Sequence, residues 1–91
     1  MATLIKADGT KQEVSPRHGK NWKLEEWQKH VGGYVQRLST NDGRVMLTNE
    51  DGKPQGLPVN EEATRLYYYR DTDFIVGDVL IITNQEFQKG K

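Results

Sequence analysis

The stretch that most constrains this chain is residues 74–83, Phe-Ile-Val-Gly-Asp-Val-Leu-Ile-Ile-Thr, its most hydrophobic segment and one dense in β-branched side chains. Branching at Cβ favours a pleated strand, and apolar residues at consecutive positions predict burial on both faces. The run therefore reads as a central strand on which the core is built, with Gly77 as a bend or bulge. At 91 residues the chain suffices for one such core but not for two. It reads as a single α+β domain over residues 1–84, with an antiparallel sheet of about five strands in the order hairpin, helix, hairpin, short helix, strand. Residues 85–91 have little to bury beyond Phe87 and are expected to fray as a flexible tail.

The remaining elements follow from local chemistry. Residues 4–7 and 10–14 flank Asp8-Gly9, which predicts a hairpin with a two-residue type I′ turn. Pro16 and Gly19 then mark a surface loop. Between Asn21 and Val31 the residues Leu24, Trp27 and Val31 recur at helical spacing, which places them on one buried stripe, while Glu25 and Lys29 pair on the other side. Asn21 is the expected N-cap and Gly32-Gly33 the stop. Residues 34–38 and 44–49 read as antiparallel strands joined at Asn41-Asp42-Gly43. A second turn over residues 50–54 leads to residues 55–59, an edge segment or extended loop broken by Pro58. Asn60 then caps a short helix running to Leu66, with Glu61 and Glu62 at its positive end. Tyr67-Tyr68-Tyr69 fits no single element, and residues 70–73 read as a loop.

Composition narrows the chemistry. The chain has no cysteine, so disulfides, thiolate metal sites and a cysteine nucleophile are excluded. The absence of cysteine suits a reducing cytoplasm, and no apolar run reads as a signal peptide or membrane span, so a soluble cytoplasmic protein is expected. Lysine and arginine balance aspartate and glutamate at 13 each, but residues 1–45 carry 8 basic against 5 acidic residues and residues 46–91 the reverse. Opposed halves attract each other within the fold or favour self-association, and neither pattern is the basic surface that a phosphate backbone demands.

The order of Leu24-Glu25-Glu26-Trp27-Gln28-Lys29-His30-Val31-Gly32-Gly33-Tyr34-Val35, then Asn49-Glu50-Asp51-Gly52-Lys53-Pro54-Gln55-Gly56-Leu57-Pro58-Val59-Asn60, then Asp73-Phe74-Ile75-Val76-Gly77-Asp78 resembles the DUF3846-like family, small domains of unknown function found in phages and bacterial mobile elements. The resemblance spans about residues 24–82. Two places depart from the pattern: Lys23 stands where a capping hydroxyl is common, and residues 65–70 read as an insert. The resemblance implies a setting among accessory genes of mobile DNA and names no substrate.

His18 and His30 would need carboxylates such as Glu26 or Asp78 to hold a metal, and their spacing matches no ligand motif, so structural or surface histidines are expected and no metal or cofactor. The pairs Glu25-Glu26, Glu50-Asp51 and Glu61-Glu62 read as solvated charge, because adjacent side chains point apart. Gly32-Gly33 before Tyr34 reads as helix termination, although it would also let a ligand approach the backbone. The segment ending Leu57-Pro58-Val59-Asn60 is the preferred binding surface together with Tyr34, with Asn60 either a cap or an amide presented to a partner.

For nucleic acid, Arg17, Lys20, Trp22 and Lys23 form a basic-aromatic segment in which Trp22 is expected to be exposed. Tyr67-Tyr68-Tyr69 between Arg65 and Arg70 is weaker, because Asp71 and Asp73 follow at once. The expected function is a non-enzymatic module of a phage or mobile element that docks a host protein or sequesters a small ligand in the host cytoplasm, either alone or as a homo-oligomer. The alternatives are a nucleic-acid accessory protein using residues 17–23 and a small nucleotide-processing enzyme with a composite site around Asn60 and Asp78.

Overall fold

The computed structural model describes residues 2–17, 19 and 21–90. His18 and Lys20 lie outside the described residues. The elements are β1 Ala2–Ile5, β2 Lys11–Val14, α1 Leu24–Val31, β3 Val35–Ser39, β4 Val45–Asn49, α2 Glu61–Leu66, β5 Val79–Ile82 and α3 Asn84–Gly90. The five strands form one antiparallel sheet in the order β2-β1-β5-β4-β3. This is the expected α+β class, with one helix more than expected.

The last strand inserts between the two hairpins, so Leu80 faces Leu4 of β1 on one side and Leu47 of β4 on the other. All four β5 residues are buried, and alternation along the strands divides the core into two layers. Leu80 and Ile82 join Leu4, Val45, Leu47, Trp22 and Trp27 beneath α1 and α3. Val79 and Ile81 join Ile5, Met46, Ala63, Tyr67 and Ile75 beneath α2 and the segment after it. The strand within residues 74–83 is shorter than expected. Gly77, at φ 76°, turns the chain before β5, and Val76 instead forms a bridge with Val59.

Both glycine-turn hairpins form, but not with type I′ turns. At the first, the Lys6 amide donates to Thr10 O at 2.8 Å and the Gly9 amide to Lys6 O at 2.9 Å. Gly9 has a φ of 94°, and among the described residues no non-glycine has positive φ. A type I′ turn needs positive φ at Asp8 as well, so the connection is a three-residue loop closed by a glycine bulge. The Asn41-Asp42-Gly43 turn repeats it: the Thr40 amide donates to Arg44 O, the Gly43 amide donates to Thr40 O, and Gly43 has a φ of 87°.

Helix α1 ends as expected at Gly32, with φ 81° and its amide on Gln28 O. It begins later than expected: Lys23 is the N-cap and makes no side-chain cap, so Asn21 does not cap it. Trp27 and Val31 are buried, but Leu24 is 47% exposed and leaves the stripe. The core contact at the start of the helix is made by Trp22, which is 3% exposed. The tail expected to fray forms α3. Phe87 stacks on Trp27 with ring centroids 5.6 Å apart, and Trp22 Nε1 donates to Glu86 Oε2 at 2.9 Å.

Candidate functional site

Asn60 shows how the signature segment is built. Its Oδ1 accepts from the Ala63 amide at 3.0 Å, which caps α2, and its Nδ2 donates to Ile5 O and to Gly77 O, each at 2.9 Å. The side chain is fully buried, so its amide serves the fold and is not presented to a partner. Leu57 is half-buried against Gly77, where a Cβ on the glycine would lie 2.8 Å from Leu57 Cδ1. Pro58 is exposed, and its carbonyl accepts from the Gly77 amide at 2.8 Å. Asn49 ties the other motifs together. Its Oδ1 accepts from the Asp51 amide, its Nδ2 reaches Val31 O and Gln55 Oε1, and a Cβ on Gly33 would stand 2.9 Å from its Nδ2. Gly33 against Asn49, and Gly77 bonded by Asn60 and crowded by Leu57, thus hold the loops around β4 and β5.

Three of the open clefts among the described residues bear on the expected sites and on this framework. The first, of about 420 Å³, brings Leu57 and Pro58 together with Lys29, His30, Gln55 and Asp78. Asp78 Oδ1 accepts the Ala7 amide at 2.9 Å, and with Asn60 buried the two do not form a shared exposed site. Tyr34 is 68% exposed just before β3 and does not line this cleft.

The second cleft, of about 330 Å³, contains Arg17, Trp22, Glu26 and His30. Trp22 contradicts the expectation of an exposed stacking platform, because its indole is held by Glu86 and meets His30 edge-on. Arg17 and Lys23 are exposed. Burial raises the Glu86 carboxyl, yet opposing contacts, foremost the Trp22 indole and the Thr83 amide, leave the group below its ordinary value.

The third cleft, of about 270 Å³, opens beside β3 on the α2 side of the sheet. Gln36, Leu38 and Thr48 form its floor, and Tyr67, Phe74 and Ile75 form its wall. Lys53 crosses the mouth, bound to the Asp73 carboxylate and lying 4.5 Å from the centre of the Phe74 ring. The Lys53 ammonium and the Phe74 amide hold the Asp73 carboxyl below its ordinary value. Burial and the Asp73 charge raise the Tyr67 hydroxyl. Tyr67 is buried in this wall while Tyr68 and Tyr69 are exposed, and the ring of Tyr69 meets both others at 5.8 and 4.9 Å. Phe74 is 46% exposed.

Of these residues the sequence signalled the tyrosine run, without its element, and Lys53 within the Asn-Glu-x-Gly-Lys motif. Asp73 and Phe74 stand in a stretch that carries the resemblance but had no site role there, and Gln36 and Leu38 carried no signal; all four reach the cleft only when β3 and residues 73–76 meet. Among the described residues no group of three or more histidine or carboxylate side chains is placed to hold a metal, and no helix is long and apolar enough to cross a membrane. No curated protein and no solved structure matches the chain. The model of the family described as "Domain of unknown function (DUF3846)" matches residues 1–89, beyond the stretch that carried the resemblance, and the chain belongs to that family.

Proposed function

We propose that the protein is a non-enzymatic binding module that docks a protein partner at the cleft beside β3. The observation that carries this reading is exposed Phe74 in the wall of that cleft beside buried Tyr67, whose ring meets exposed Tyr69 and through it exposed Tyr68. Large exposed aromatics grouped around a concave surface are the usual make-up of a protein interface core. A surface with Lys53 bound to Asp73 at its rim adds polar groups that orient a partner. Family membership and the mobile-element resemblance support a setting as an accessory protein of a phage or similar element, acting in the host cytoplasm.

A second reading, capture of a small ligand, draws support from the cleft at Leu57 and Pro58, where Lys29, His30 and Asp78 offer charge beside apolar walls. The two readings separate in one comparison. A host protein captured by the wild type should be lost with Tyr69→Ala/Phe74→Ala and retained with Pro58→Ala, each variant first shown to unfold as the wild type does. Capture that survives the aromatic double variant would overturn the docking reading.

A further inference from the structure

Resting on that docking reading, we propose that the partner binds as an extended peptide strand added to the free edge of β3, with an apolar side chain in the aromatic cleft and an acidic one beside Arg37. Antiparallel pairing turns alternate residues of an edge strand outward. The Tyr34 carbonyl and the Thr40 amide and carbonyl bond on the β4 side, so the backbone groups of Val35, Arg37 and Ser39 point away from the sheet. Ser39 O accepts from the Tyr68 amide at 3.0 Å, but among the described residues the outward groups of Val35 and Arg37 have no backbone partner.

The chain itself shows how this edge receives a strand. Residues 66–68 lie along its far end, where Leu66 O accepts the Asn41 amide and Tyr67 bridges Thr40. Tyr67 thereby enters the cleft from a strand-added position. After Tyr68 the turn over residues 69–73, with the Thr72 and Asp73 amides on Tyr69 O, carries the chain away and leaves Val35 and Arg37 open.

Residues opposite each other on neighbouring strands share a face. A residue opposite Gln36 therefore faces the cleft that Gln36 floors. A residue opposite Arg37 lies on the other face, where the guanidinium sits 5.3 Å from the centre of the Phe87 ring, bonds Asn84 Oδ1 and meets no carboxylate among the described residues. An acidic residue supplies that missing charge. The chain's own β3 reads Val-Gln-Arg-Leu-Ser and contains no acid, which favours a foreign segment over a second copy paired through its own β3.

The test uses the full chain and a fluorescein-labelled peptide, Glu-Val-Glu-Phe-Glu-Val-Glu with blocked ends. Saturable binding by anisotropy is expected, with hydrogen-exchange protection appearing at the Val35 and Arg37 amides. Methylating alternate peptide nitrogens should weaken binding about tenfold or more. Arg37→Glu should weaken it about fivefold and restore affinity for the same peptide with Lys in place of Glu. No saturable binding, or equal affinity for the N-methylated peptide, overturns strand addition. Edge protection that appears without peptide, together with a dimer in light scattering, assigns the edge to a second copy and also overturns it. If Phe74→Ala weakens binding while N-methylation does not, the cleft reading survives and strand addition fails. If N-methylation weakens binding and Phe74→Ala does not, the cleft reading fails and with it the apolar arm of the proposal.

Discussion

Replacing Asn60 with alanine removes three buried hydrogen bonds at once. The lost cap at the Ala63 amide costs about 1 kcal/mol. Ile5 O and Gly77 O each lose a donor in a site closed to water, at about 1–2 kcal/mol apiece. The sum is about 3–5 kcal/mol, against a total stability of roughly 5–14 kcal/mol for a domain of this length. With a urea slope of about 1 kcal/mol per molar, the unfolding midpoint should fall by about 3 M or more. Trp22 and Trp27, both buried, report the transition by fluorescence.

Asn60→Asp is the control, because it keeps an acceptor for the Ala63 amide but sets a carboxylate oxygen against two carbonyls. Burial beside those oxygens raises the carboxyl of that variant above its unfolded value, so the folded form holds the proton more tightly. The variant should be less stable than Asn60→Ala at pH 7 and should gain stability as the pH falls toward about 4. A loss under about 1 kcal/mol for Asn60→Ala, or an Asn60→Asp variant as stable as the wild type, would refute the assignment of Asn60 as the bond between β1, α2 and the Gly77 turn.

Three further outcomes follow from the same structure. Gly77→Ala should cost about 2–3 kcal/mol in urea unfolding, because an L-residue is strained at φ 76° and its Cβ would crowd Leu57 Cδ1; adding Leu57→Ala should relieve only the crowding part. Trp22→Phe removes the donor to Glu86 and should cost about 1–2 kcal/mol at pH 7. Because the folded Glu86 carboxyl lies below its usual 4.5, its contribution is present above that value and lost as the pH falls through the lower folded value, so the difference between Trp22→Phe and wild type should shrink as the pH falls below 4.5. Truncation after Thr83 removes α3 and uncovers Trp27; a loss of about 2–4 kcal/mol with a red-shifted native fluorescence is expected, and an unchanged midpoint would mean that residues 84–90 do not stabilise the fold.

Several features of the fold are settled by neighbouring residues alone. β-Branched packing made Val79–Ile82 the central strand, Gly32 stopped α1 through a left-handed φ, and Asn60 capped α2 with its own side-chain oxygen. Turn chemistry placed both hairpins, although the turn type depended on a φ that Asp-Gly alone does not settle. The tertiary structure decided the rest, because the deciding contacts join residues far apart in the chain. Trp22 is buried because Glu86 and α3 arrive from 64 residues away, and α3 is held because Trp27 offers Phe87 a ring to stack on. Asn60 is closed to ligands because Ile5 and Gly77 converge on its amide. The aromatic cleft and the open β3 edge exist because residues 66–68 pair with the end of β3 and then turn away, a choice made by the packing of Tyr67 into the core and by no local periodicity.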